Sequence, residues 1–188
     1  MGNIIGVTGT PGTGKKSVAP LLAKLLGVQC LSINEVARSH GLLKKHGGEW
    51  EVEVGALRHE FHGASGPAVL YGHLLPHSID GRLISHAVVL RCEPSALKHR
   101  LTVRGYAHRK LIDNVESELI GLVSSETFET FGEAKTFEVD TTNAAPNEVA
   151  NAVREVIEGH SEPGPRLDWT VSYDTGARLR SLLSVGRS

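Results

Sequence analysis

Seven residues, Gly9-Thr10-Pro11-Gly12-Thr13-Gly14-Lys15, have the types and spacing to hold a phosphate chain. They follow the apolar run Ile4-Ile5-Gly6-Val7 and precede Val18, Leu21, Leu22, Leu25 and Leu26 at helical spacing. Strand, glycine loop and helix together are the context in which G-x-x-x-x-G-K reads as a nucleoside-triphosphate loop rather than a glycine-rich turn. Gly12 and Gly14 let backbone N–H groups turn inward toward phosphate oxygens. The positive end of the following helix adds to that field, and Lys15 is placed to reach the β- and γ-phosphates. The next position normally carries a hydroxyl for Mg²⁺. Here it is Lys16, with Ser17 one place late and set to touch the α-phosphate.

A second concentration of charge runs from Lys98 to Lys110, with five Lys or Arg side chains and no acid. It reads either as a solvated basic face or, through Arg104 and secondarily Arg100, as a source of cations for transferring oxygens; a transient contact with RNA phosphates is a third use. An arginine grips two oxygens at once, which lysine does not. The ten histidines include the spaced pairs His59/His62 and His73/His77, but neither has a third grouped ligand, so no metal site is expected. Cys30 and Cys92 lie in separate apolar runs and read as buried free thiols.

These residues need a scaffold, and the pattern supplies one. Short apolar runs at Asn3–Val7, Val28–Leu31, Ala68–Leu70, Ala87–Arg91 and Thr136–Val139 predict strands. Helices are predicted at Lys15–Leu26, Asn34–His40, Val54–Phe61, Pro94–Val103, one long helix from Arg109 to Phe131, and Pro146–Glu158, with start signals at Glu93-Pro94 and around Pro146. Alternation of this kind predicts an α/β fold: a parallel five-stranded sheet with helices on both faces, and a ligand at the carboxyl ends of the strands. A domain over 1–158 is followed, after the breaker Pro163-Gly164-Pro165, by a tail over 159–188 with a short helix at Ala177–Leu183.

The chain has 188 residues and a formal net charge of −1, so nothing global speaks for nucleic acid or membrane. No apolar run approaches the roughly 18 residues of a membrane span, and no signal peptide is evident; the expected compartment is the cytoplasm.

With the loop, the string Arg104-Gly105-Tyr106 … Lys110-Leu111 … Asn114-Val115 … Glu118 resembles the lid of the adenylate-kinase-like nuclear ATPases, and their archaeal branch above all. Val36-Ala37-Arg38, Gly72-His73 and Val139-Asp140-Thr141-Thr142 fit the same family in order and spacing, over residues 3 to 158. The resemblance implies a P-loop fold with a small monophosphate-binding region near 33–57 and a lid near 104–114. It further implies ATP with Mg²⁺, phosphoryl transfer to AMP, ATPase activity, and a role in late small-ribosomal-subunit and rRNA maturation beside a small-subunit ribosomal protein of the S11 type. By family position, Lys15, Arg104 and His73 are the catalytic candidates. Gly12, Gly14, Lys15, Lys16, Ser17 and Arg104 would bind ATP, and Arg38 would hold the AMP phosphate. Each has a plainer alternative: a helix-surface arginine for Arg38, a satisfied structural histidine for His73, a turn cap for Asp140.

Three departures from the family converge on the metal. Lys16 replaces the hydroxyl, Tyr71 stands where the family carries an acid, and Pro20 falls inside the first helix, where it is expected to distort the first turn. Weakened Mg²⁺-dependent turnover with nucleotide binding retained is the expectation. The other readings are a nucleotide-gated binding module for the ribosomal protein with little turnover, and a small P-loop kinase acting on a metabolite.

Overall fold

The computed structural model describes residues 3–46, 49–61 and 66–184. In chain order the elements are β1 (Ile4–Thr8), α1 (Lys15–Leu26), β2 (Gln29–Ser32), α2 (Ile33–Ser39), β3 (Leu43–His46), β4 (Glu49–Val52), α3 (Val54–Glu60), β5 (Ala68–Tyr71) and α4 (Leu75–Ser78). There follow β6 (Ile84–Arg91), α5 (Pro94–Val103), α6 (His108–Leu119), α7 (Leu122–Phe131), β7 (Thr136–Asp140), α8 (Pro146–Ile157), a 3-10 turn at Thr170–Tyr173 and α9 (Gly176–Leu183). None of the described helices is long and apolar enough to cross a membrane.

The apolar strands form one sheet in the order β2-β5-β1-β6-β7, every adjacent pair parallel. Val7 of β1 lies opposite Tyr71 on one side and Val88 on the other. The register therefore brings the carboxyl ends Thr8, Tyr71, Arg91 and Asp140 to one edge. On one face, Val18 and Leu22 of α1 and Val149 and Val153 of α8 pack on Val7, Val69, Val88 and Phe137. On the other, Ile33, Leu57, Leu75, Ile79 and Phe131 cover Ile4, Leu70, Ile84 and Ala87. Each such fully buried aliphatic side chain contributes about 1.5–3 kcal/mol, and this two-sided burial explains the near-continuous apolar strands.

Several expectations need correction. The single helix from Arg109 to Phe131 is two helices, because Gly121 adopts φ 67° and ends α6. Its N–H donates to the Glu118 carbonyl at 3.1 Å, while its own carbonyl accepts from Ser125 and starts α7. The apolar spacing runs through the break, so periodicity alone did not reveal it. Pro20 does not break α1: the helix runs unbroken from Lys15 to Leu26, with Pro20 exposed on its outer side. The antiparallel pair β3–β4 and the short α4 were not anticipated. Cys92 is buried, but Cys30, on edge strand β2, is only half-buried.

The tail is a packed part of the structure. Leu182 of α9 is buried with Leu97, Leu101, Leu111 and Val115 in a third apolar cluster, against which Trp169 and Tyr173 also pack. Among the described residues the His73/His77 pair joins no group able to hold a metal, and His62 of the other pair lies outside them.

Candidate active site

At the carboxyl end of β1 the chain turns into the phosphate loop, and α1 starts at Lys15 from Gly14 with no side-chain cap. An uncapped helix start with no acid in its first turn leaves the positive end of the dipole facing the loop. Gly12 is indispensable to this path. Its φ is 102°, and an added Cβ would lie 2.6 Å from Leu97 Cδ1 and 2.9 Å from Leu101 Cδ2 of α5.

Lys15 curls back under the loop, its Nζ donating to the carbonyls of Gly9 at 2.5 Å and Thr10 at 3.0 Å. Burial pulls its pKa down to about 7. Glu118 opposes that shift, and the positive charges of Arg104 and Lys16 add to it. The ammonium is thus stored against two neutral carbonyls, a weak resting place compared with a phosphate. Lys16 and Ser17, the next residues along α1, are exposed. Arg104 is exposed too, at the C-terminal cap of α5.

The turn after β5 carries Gly72 and His73. His73 is half-buried, and its pKa is lowered to about 4, first by burial and then by Lys15, Lys110 and His77. At neutral pH its imidazole is therefore uncharged, able to donate from one nitrogen and accept at the other. His73 also lines a cavity of about 890 Å³ with Asn34 and Arg38 of α2, Leu43 of β3, Val52 of β4 and Leu74. The unanticipated β3–β4 pair thus forms part of the wall of this cavity. Arg38 is itself exposed while lining this cavity. The charge of Lys15 reaches His73, and His73 and Arg38 line the same cavity, which links the phosphate loop to that cavity.

Other predicted residues have structural duties. Arg100 donates to the carbonyls of Thr141 at 2.6 Å and Thr142 at 2.9 Å, so it is tied to the loop after β7 and is not a second mobile cation. Asp140 accepts from the Thr142 amide at 2.8 Å and from its hydroxyl, the turn cap anticipated for it. Thr141 Oγ1 donates within reach of the Thr13 and Arg91 carbonyls, both at 2.9 Å, linking that turn to the phosphate loop. Burial pushes the Cys92 thiol up to about 11, which leaves it unreactive.

Sequence reasoning passed over Arg91 and Glu138, read Thr10 only as part of the phosphate loop, and read Glu118 only as part of a family string. Thr10 Oγ1 donates to Glu118 Oε2 at 2.5 Å, and Arg91 joins Glu118 at 2.8 Å and Glu138 at 2.5 Å, all of them buried. A signal existed: Glu118 falls on the apolar stripe of Leu111, Val115 and Leu119, where a charge needs a partner.

A metal is a separate matter. The positions that the resemblance assigns to Mg²⁺ hold Lys16 and Tyr71, and the group of side chains among the described residues close enough to share a metal ion is Glu155, Glu158 and His160, at the end of α8. The residues at the loop do not make the usual Mg²⁺ seat, since an ammonium repels the ion and a phenol is a poor ligand for it.

The family described as "AAA domain" matches residues 5–121. The protein named "Putative adenylate kinase" of Thermococcus gammatolerans is 39% identical over 173 residues, covering 91% of this chain and 95% of that one. The protein of the same name from Pyrococcus furiosus is 37% identical over 176 residues, with 91% and 93% covered. The unmatched share is smaller than the segment 159–188, so the likeness runs into the tail, beyond the residues 3 to 158 that carry the family motifs. Among solved structures, a shikimate kinase from Acinetobacter baumannii superposes with a TM-score of 0.56 at 20% identity, over 86% of this chain and 96% of that one. A gluconokinase from Sinorhizobium meliloti gives 0.54 at 18%, over 93% and 97%. At such identities the likeness speaks for the fold, that of the P-loop kinases. The chain belongs to the AAA-domain family of P-loop kinase fold, alongside the archaeal proteins named "Putative adenylate kinase".

Proposed function

We propose that the protein transfers the γ-phosphoryl group of ATP to a nucleoside monophosphate, with AMP as the acceptor, and hydrolyses ATP when the acceptor is absent. The observation that carries this reading is a cavity lined by Arg38 and by His73, the histidine whose ring feels the charge of Lys15 in the phosphate loop. Phosphoryl transfer asks mainly for positioning and for charge to offset that on the moving oxygens. Lys15 leaves the Gly9 and Thr10 carbonyls for the β- and γ-phosphates, regaining its full charge as it does so. Arg38 takes the acceptor phosphate with a two-toothed grip. Neutral His73, between the two, orients the attacking oxygen or accepts its proton. The lid at residues 104–114, a turn at 104–107 leading into the start of α6, carries Arg104 over the transferring group and excludes water. No step is assigned to a metal. The Lys16 ammonium supplies part of the charge that Mg²⁺ ordinarily brings.

Arg38→Ala tests the acceptor side directly. The KM for AMP should rise about tenfold or more, the loss of a charge-assisted contact, while ATP affinity stays put. An unchanged KM for AMP would remove Arg38 and the cavity from the reaction.

Lys16 and Tyr71 also favour a second reading, a nucleotide-gated binding module with little turnover. Its partner would be the S11-type ribosomal protein that the resemblance implies. Capture of that protein in an ATP-dependent manner by a chain that makes no ADP would establish it, and ADP formation would exclude it as the main role.

A further inference from the structure

Glu118 is 1% exposed, yet its carboxylate serves two separate parts of the molecule. Oε1 accepts from Arg91 Nε at 2.8 Å, from the Cys92 amide at 2.9 Å and from Trp169 Nε1 at 3.4 Å. Oε2 accepts from Thr10 Oγ1 of the phosphate loop at 2.5 Å. Arg91 already has a second carboxylate in Glu138, at 2.5 Å. Neutralising one buried guanidinium does not require two carboxylates, and an extra buried charge is costly unless it is used. Here its excess negative charge faces Thr10 and is felt by Lys15.

The tail reaches the same group. The Leu167 amide donates to Glu138 Oε2 at 2.5 Å, and its carbonyl accepts from Arg91 at 3.1 Å. Tyr173 donates to Glu93, the N-cap of α5, and α9 is anchored by buried Leu182. A continuous set of hydrogen bonds therefore runs from Trp169 through Glu118 to Thr10, whose carbonyl holds the resting Lys15.

We propose that Glu118 is a positioning residue for the phosphate loop, held in place by the C-terminal segment at Leu167 and Trp169, so that the tail is a working part of the nucleotide site. This rests on the phosphoryl-transfer reading above. Glu118 fixes the Gly9–Thr10 peptide, whose carbonyls must release Lys15 when phosphate arrives. Freed from Glu118, the peptide can follow the lysine, and the ammonium is presented less often in the geometry that grips the phosphates.

Replacing Glu118 itself would leave Arg91 Nε and the Cys92 amide buried without their acceptor and endanger folding, so the test uses its two neighbours in the full chain. ATP affinity by titration calorimetry, kcat with AMP, and thermal melting are measured for wild type, Thr10→Val, Thr10→Ser, Trp169→Phe and the double variant Thr10→Val/Trp169→Phe. Thr10→Val should weaken ATP binding about tenfold, and Trp169→Phe, which keeps the packing but loses the N–H, about threefold. Thr10→Ser keeps the donor and should recover most of the affinity. A packing role predicts the reverse, with Val tolerated and Ser damaging. Because both changes act through one carboxylate, the double variant should match Thr10→Val alone. Wild-type affinity in both single variants, or losses that simply multiply, would overturn the positioning role while leaving the phosphoryl-transfer reading intact. Failure of the wild-type chain to bind ATP at all would overturn both.

Discussion

Lys15 is stored in a partly discharged state. With burial holding its pKa at about 7, the nucleotide-free chain loses roughly half that charge at neutral pH. Bound phosphate favours the charged form, so at pH 8 ATP binding should draw up to one proton from solution. Calorimetry in buffers of different ionisation enthalpy reads this as a buffer-dependent heat, and equal heats in all buffers would show that Lys15 is already charged. His73 works in the other direction. Its folded pKa of about 4 lies below the ordinary value near 6.5, so the fold favours the neutral ring. The stability this contributes is present above pH 6.5 and is lost as pH falls through 4. The melting temperature of wild type should therefore drop further between pH 7 and pH 5 than that of His73→Asn. The same variant should lower kcat about a hundredfold, the low end for a proton-handling group. Parallel melting curves would place the pressure on another group.

The elements that carry these residues were legible wherever burial imposed a strong pattern. The five parallel strands and α1, α5 and α8 follow from continuous apolar runs, helical spacing and start signals such as Glu93-Pro94. The β3–β4 pair was not legible, because Lys44, Lys45, His46, Glu49 and Glu51 give it a polar composition and Gly47-Gly48 reads only as a break. The split between α6 and α7 was hidden because apolar spacing continues across Gly121. Gly121→Ala should cost about 1 kcal/mol in chemical denaturation, the penalty of a left-handed backbone for a residue with a Cβ. No loss would mean that the turn relaxes freely. Pro20 offers the opposite case. It is exposed inside a continuous α1, where its ring removes one helix hydrogen bond to the Lys16 carbonyl. Pro20→Ala should stabilise the chain by about 1 kcal/mol or more, read as a higher denaturation midpoint. A lower midpoint would assign the proline a structural task.

At the scale of the whole molecule, the fold brings four distant stretches to the carboxyl edge of one sheet: the loop after β1, the turn after β5, the α5–α6 junction and, through Glu118, the tail. The first three were visible as motifs in the sequence. The last was not, because a buried ion network is a property of packing, and Arg91 and Glu138 look in sequence like ordinary strand residues. The same edge holds the departures at Lys16 and Tyr71. Restoring Lys16→Thr together with Tyr71→Asp should raise Mg²⁺-dependent turnover about tenfold or more, through a repaired metal seat. An unchanged rate would separate those positions from the metal. The most direct test of the central claim is nucleotide analysis of the purified chain incubated with ATP and AMP, with Mg²⁺ and with chelator. A working phosphotransferase makes two ADP for each ATP lost when AMP is present, against one ADP per ATP from hydrolysis without it, and slowly for its fold. Bound ATP with no ADP from AMP would contradict the account and make the chain a nucleotide-gated binding protein.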